Sequence, residues 1–258
     1  RQPRRPPQYL LPPGRTSWNG KGVVSSRPTS EKRLSKRSQY IALVLVALVA
    51  RLIFVASLAA APSRTGGDAR WYLSNGTDLV RMSERGPIPS GPGYLLLLGV
   101  IGNLLPEPAV VPVVRLLQAV MDALTVGLVY LLGRCTWGHQ VGMTAGAALA
   151  VSPAFIIETG QIATETLFIF LLMAALALYA WRGERGGTRA LVGVGALMGL
   201  AALTRAVLLA FPALLAVHLV LRRGWRGALR GAGALLLAFA LTLAPWTVYN
   251  AVKWNRFV

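Results

Sequence analysis

The sequence predicts an all-α polytopic membrane helix bundle, and three observations predict it. Of the 258 residues 54% are hydrophobic, and they come as long blocks rather than dispersed around one soluble core. Blocks of about 18 or more apolar residues read as membrane spans. Strand-type alternation is absent from these blocks, and a helix satisfies its own backbone donors and acceptors in hydrocarbon. The formal charge of +18 is also unevenly placed, with ten of the 27 Lys and Arg in residues 1–39.

Residues 1–39 are rich in Pro, Ser and Gly as well as cations. Such a segment buries too little apolar surface to offset its ordering entropy, so it reads as a disordered basic tail. Ahead of a span, those cations hold the tail in the cytoplasm near anionic headgroups. No nucleic-acid recognition motif accompanies them, and no nucleic-acid partner is expected. The first span is 40–61, "YIALVLVALVARLIFVASLAAA", too long for the apolar region of a signal peptide. The next apolar run, 93–105, is short; crossing takes about 20 residues, and a run of 10 to 14 reads as interfacial or re-entrant.

With 93–105 not crossing, the later spans alternate: 112–132 inward, 141–157 outward, 162–181 inward, 190–203 outward, 206–221 inward and 231–247 outward. That makes about seven spans. Arg134, Arg182, Arg185, Arg189, Arg222, Arg223, Arg226 and Arg230 then face the cytoplasm with the tail, as the positive-inside rule requires. Small residues in "GVGALMGLAA" and "GAGA" suit close helix packing. A single cysteine, Cys135, excludes an internal disulfide.

This threading gathers polar residues from four parts of the sequence at the outer face. Asp68 follows the first span in "GDARWY", where it suits a helix N-cap and also a general base for an incoming hydroxyl. Residues 69–84 can form an interfacial amphipathic helix with Trp71 and Tyr72 on its apolar side. Glu165 opens the 162–181 span, with Glu158 as an alternative carrier of its role. Arg205 interrupts a very apolar block, and a guanidinium suits phosphate oxygens. The fourth contribution is the aromatic "PWTVYN".

Arg115, Gln118, Asp122 and Thr125 share one helix face by their spacing, and an Arg115–Asp122 pair is expected there. Arg51, midway along the first span, is expected to pair inside the bundle. His139 and His218 have no metal-ligand spacing and read as a loop and a packing histidine.

The order of the motifs is "GDARWY", "GPGYLLLLGVIG", "VVRLLQAVMDAL", "SPAFIIETGQIATETLF", "GLAALTRAVLLAFP" and "LAPWTVYN". It resembles the membrane glycosyltransferases of the GT-C superfamily, family 39, of the protein mannosyltransferase and aminoarabinose-transferase type. The resemblance spans about residues 40–258 and implies the N-terminal part of a transmembrane glycosyltransferase domain, with an outer catalytic loop at about 62–111. Family members run longer, so an incomplete chain is expected.

The resemblance further implies inverting transfer of a sugar from a polyprenyl-phosphate donor to a hydroxyl of a protein, lipid or glycan acceptor, outside the plasma membrane. Asp68 matches the catalytic Asp, with Tyr72 four residues on. Glu165 matches the acidic residue of the second outer loop, and Arg205 the basic residue that meets the donor phosphate. Arg64, Arg70, Tyr94 and Arg115 complete the expected substrate-binding set. A divalent metal ion serves some relatives, although no ligand cluster is evident here. Ser90 and Gly91 stand where the aminoarabinose type has an acidic-basic pair. A transporter or flippase of lipid-linked sugars, or an inactive membrane scaffold, are the alternatives.

Overall fold

The computed structural model describes residues 35–59, 67–76, 91–183 and 187–255, and every regular element among them is helical. The basic tail up to residue 34, Arg64 and the 77–84 part of the expected amphipathic helix lie outside the described residues. The helices are α1 (Lys36–Ala59), α2 (Gly67–Gly76), α3 (Pro92–Leu104), α4 (Glu107–Trp137), α5 (His139–Ala150), α6 (Pro153–Glu158), α7 (Glu165–Leu178), α8 (Thr188–Thr204), α9 (Phe211–Arg223) and α10 (Trp225–Trp254). A π-helical turn, Tyr179–Gly183, continues α7, and a 3₁₀ turn, Ala206–Leu208, leads into α9.

Among the described residues, five helical segments are long and apolar enough to cross a membrane: Lys36–Leu58, Glu107–Trp137, Glu165–Arg182, Ala206–Arg223 and Trp225–Trp254. The protein is a multi-pass membrane helix bundle. Two of the seven expected spans form shorter helices. The 190–203 span becomes α8, 17 residues long. The 141–157 span is divided into α5 and α6 at Val151 and Ser152, because Pro153 drives the residue before it out of the helical region, and Ser152 has ψ 117°. The run 93–105 becomes α3, whose 13 residues span only about 20 Å.

One expected boundary moves the other way. The last span was expected to end at 247, yet α10 continues through Pro245 to Trp254, where Asn255 closes it with φ 51°. A helix-interior proline removes one backbone bond, and membrane helices tolerate that where neighbours re-satisfy the backbone.

Packing divides into three clusters. Leu43 and Ala47 of α1 meet Val126 and Tyr130 of α4 and Ala150 of α5. Tyr94 and Leu98 of α3 pack with Val110 and Val114 of α4 and with Ile162. The largest joins α7 through α10 around Leu191, Met198, Leu219 and Leu235. Small residues let α8 and α10 touch, as expected: a Cβ at Gly195 would collide with the Leu235 carbonyl.

A buried ion pair locks the first cluster. Arg51 is 0% exposed, and its Nε donates to Asp122 Oδ2 at 2.6 Å. Its other nitrogens donate to the carbonyls of Ala47 (3.2 Å), Ala150 (2.7 Å) and Leu149 (3.2 Å). The last two are C-terminal carbonyls of α5, which lack partners within their own helix. Arg51 thus caps the break between α5 and α6. The expected Arg115–Asp122 pair is replaced by this one. Seven residues on a helix rise about 10 Å, whereas α1 runs antiparallel to α4 and brings Arg51 level with Asp122.

Candidate active site

The helices alternate, so two sets of ends collect separately. Tyr40 stacks near Tyr130 at 5.1 Å, which puts the start of α1 beside the end of α4. At the opposite end, Phe54 and Leu58 of α1 close on Gly160, in the turn before Glu165. Here two of the sequence-predicted charges, Glu165 and Arg205, meet.

Arg205 lies in the break between α8 and the 3₁₀ turn, in extended backbone with φ −144° and ψ 116°. Its Nη1 donates to Glu165 Oε1, and its guanidinium stands 5.9 Å from the Phe168 ring centre. The pair is open to solvent, with side chains 42% and 39% exposed. Glu165 opens α7, where a carboxylate favours the helix dipole, and Thr164 Oγ1 donates to its Oε2 at 3.3 Å.

Asp68 and Arg70 are exposed on α2. Asp68 falls within the first turn rather than at the expected cap position, since the helix already includes Gly67. Tyr72 ties this helix to α3: its ring packs edge-on against Trp71 (5.1 Å) and Tyr94 (5.3 Å). Burial raises the Tyr72 phenol above its ordinary pKa; Glu165 and Asp68 push it further, while Thr164 and Arg205 pull it back. One phenol therefore senses both expected catalytic carboxylates and the expected phosphate-binding arginine.

Tyr94 is fully buried, and burial pushes its phenol far above the ordinary range. It donates to Gln118 Oε1 at 2.7 Å, and Gln118 Nε2 donates to the carbonyls of Thr159 (3.1 Å) and Gln161 (2.6 Å). Arg115 Nε donates to the Gly160 carbonyl at 3.0 Å. Arg115 and Gln118 therefore hold the turn that presents Glu165. Glu158 also faces this region. Burial raises its pKa, Glu165 adds to the rise, and Arg205 opposes it.

The sequence motif "GPGY" acquires a physical reason. Any Cβ at Gly91 would collide with the Leu203 carbonyl, and one at Gly93 would come within 2.7 Å of Thr204 Oγ1. The start of α3 thus seats directly on the end of α8, one residue before Arg205. Gly91, read from the sequence only as a departure from an acidic-basic pair, is the contact that positions this arginine. The stretch "PWTVYN" lies inside α10, with Trp246 and Tyr249 stacked at 5.6 Å.

His218 packs as expected, against Tyr179 (2.8 Å), whereas His139, expected in a loop, opens α5 and meets Tyr130 (3.1 Å). Among the described residues, no three His, Cys, Asp or Glu side chains come together as a metal-binding group.

An apolar all-helical bundle with acid, base and phenol gathered where its helix ends meet defines a polytopic membrane protein with a polar site at one end. The family is identified by sequence: the dolichyl-phosphate-mannose-protein mannosyltransferase model matches residues 96–249. The chain belongs to that family, one of membrane glycosyltransferases that use a polyprenyl-phosphate-linked sugar donor. The matched region contains Arg115, Glu165 and Arg205; Asp68, Tyr72 and Tyr94 precede it. Neither a curated protein nor a solved structure matches the chain.

Proposed function

We propose that this protein transfers a sugar from a polyprenyl phosphate to an acceptor hydroxyl, with inversion, at the outer face of the plasma membrane. The observation that supports the reading is the open Glu165–Arg205 pair at one end of the bundle, with the helix that carries Asp68 held to α3 through Tyr72 and Tyr94. The acceptor is a protein, lipid or glycan hydroxyl.

Asp68 takes the hydroxyl proton as general base. The acceptor oxygen forms a bond to the anomeric carbon as the bond from that carbon to the phosphate oxygen breaks. The leaving polyprenyl phosphate carries away the electron pair. Arg205 stabilises its charge, and Arg64 and Arg70 assist. A guanidinium carries five N–H donors, so its bond to Glu165 aims Arg205 without exhausting it. Tyr72 and Tyr94 form the aromatic floor, and Arg115 secures the turn beneath Glu165. In this orientation the arginine-rich loops and the N-terminus face the cytoplasm.

The test is incubation of the protein with polyprenyl-phosphate sugars and mass analysis of the products, beside Asp68→Asn. Transfer by the parent and its loss in a well-expressed Asp68→Asn protein is the expected result. Undiminished transfer by the variant removes Asp68 from the mechanism. Lipid translocation without any sugar transfer would favour the flippase reading.

A further inference from the structure

A cavity of about 750 Å³ lies at the end of the bundle remote from Asp68 and Arg205, and sugar transfer makes no use of it. Arg115, near the active end of α4, and Arg134, in this cavity, are 19 residues apart on one helix, about 28 Å. Lys36, Arg37 and Arg134 line the cavity together with Tyr40, Tyr130 and Trp181, and among the described residues none of those lining it carries a carboxylate.

Three observations point to an anionic ligand. The lining cations come from two different helices, and like charges brought together repel; an anion between them relieves that repulsion. The walls are also held in place. Tyr40 and Tyr130 pack ring to ring at 5.1 Å, the Tyr130 hydroxyl meets His139 Nδ1 at 3.1 Å, and His139 Nε2 meets Gln39 Oε1 at 2.7 Å. The third wall comes from the π-helical turn that ends α7, which carries Trp181, with Arg182 4.5 Å above its ring.

The volume and position select the class of anion. Ligand sites run from about 300 to 1,000 Å³, so the cavity holds more than a bare inorganic ion. It opens where three apolar spans, α1, α4 and α7, reach their polar ends. That is headgroup depth, where amphipathic rings sit, and basic pockets between spans suit phosphate headgroups.

We propose that this cavity binds the headgroup of an anionic phospholipid, with Lys36, Arg37 and Arg134 on the phosphate and the aromatic walls around the glycerol portion. This site is independent of the sugar-transfer reading.

The test measures binding of detergent-solubilised protein to phosphatidylglycerol, with phosphatidylcholine and inorganic phosphate as alternatives. Phosphatidylglycerol should bind best, and the Arg37→Gln/Arg134→Gln double variant should bind it about tenfold more weakly. Arg226→Gln/Arg230→Gln removes the same charge outside the cavity and should bind as the parent does. Equal losses in the two double variants would mean diffuse charge attraction and overturn the proposal. Tighter binding of inorganic phosphate than of the lipid would assign the cavity to a soluble anion and also overturn it. Photocrosslinking the parent protein with a headgroup-labelled phosphatidylglycerol requires no variant to fold. Adducts at 36–40, 130–135 and 181 support the site, and adducts confined to 222–230 contradict it.

Discussion

Among the described residues, two arginine–carboxylate pairs hold polar side chains, and they differ in almost everything except chemistry. Arg51 and Asp122 are sealed in the bundle, with side chains 0% and 5% exposed, and protein carbonyls take the remaining guanidinium contacts. Arg205 and Glu165 stand open at a helix break. A buried pair whose donors reach protein carbonyls joins helices and is sealed away from any ligand. An open pair contributes little to stability and keeps its arginine accessible. The difference separates a structural lock from a site, although the sequence presents both as a charge interrupting an apolar run.

The largest expected effect breaks the buried pair. Asp122→Ala leaves Arg51 charged and uncompensated, which costs about 3–5 kcal/mol. Loss of monodisperse protein in detergent, or a collapse of the melting temperature, measures it. The same treatment of the open pair should divide stability from function. Exposed pairs contribute about 0–1 kcal/mol, so Arg205→Gln should fold with nearly parental stability. Its transfer rate should fall about 10²–10³-fold, as when one donor to a developing negative charge is removed. A stability loss in Arg205→Gln as large as that of Asp122→Ala would erase the distinction between the two pairs.

The smallest effect concerns pH. Burial, with Glu165 second, raises the Glu158 carboxyl above its ordinary value. The folded chain then holds that proton more tightly than the unfolded chain, and the destabilisation is complete only above the raised pKa. Glu158→Gln should therefore raise the melting temperature at neutral pH. The gain should fade as pH falls through the raised value toward the ordinary glutamate range. An identical gain at both ends of that titration would mean that the effect is not electrostatic.

Much of the fold was legible because hydrophobic block length and charge placement are local signals. The shortness of 93–105 announced α3, and "LTRA" announced the break at Arg205. The partner of Asp122 was not legible in the same way. Helix-face spacing puts Arg115 and Asp122 on one side of α4, but pairing depends on the vertical register of α1, which spacing within one helix does not carry. The division of 141–157 had a signal in Pro153, outweighed there by overall apolarity. Pro245 gave a similar signal, and the helix ran through it. Within the site, Asp68, Glu165 and Arg205 could be named because the threading sends these polar residues to one face, and Tyr72 because it follows Asp68 by four residues, as in the family it resembles. The role of Gly91 was invisible, since a missing side chain matters only once the Leu203 carbonyl lies against it.

The central claim is that Asp68 and Arg205 share one membrane face, with the arginine-rich loops on the other. Single cysteines replacing Asp68, Arg205 or Arg134 in a Cys135→Ser background test it directly, with a membrane-impermeant maleimide on intact cells. The account predicts labelling of Asp68→Cys and Arg205→Cys from outside, and of Arg134→Cys only after permeabilisation. Labelling of positions 68 and 205 from opposite sides would contradict it.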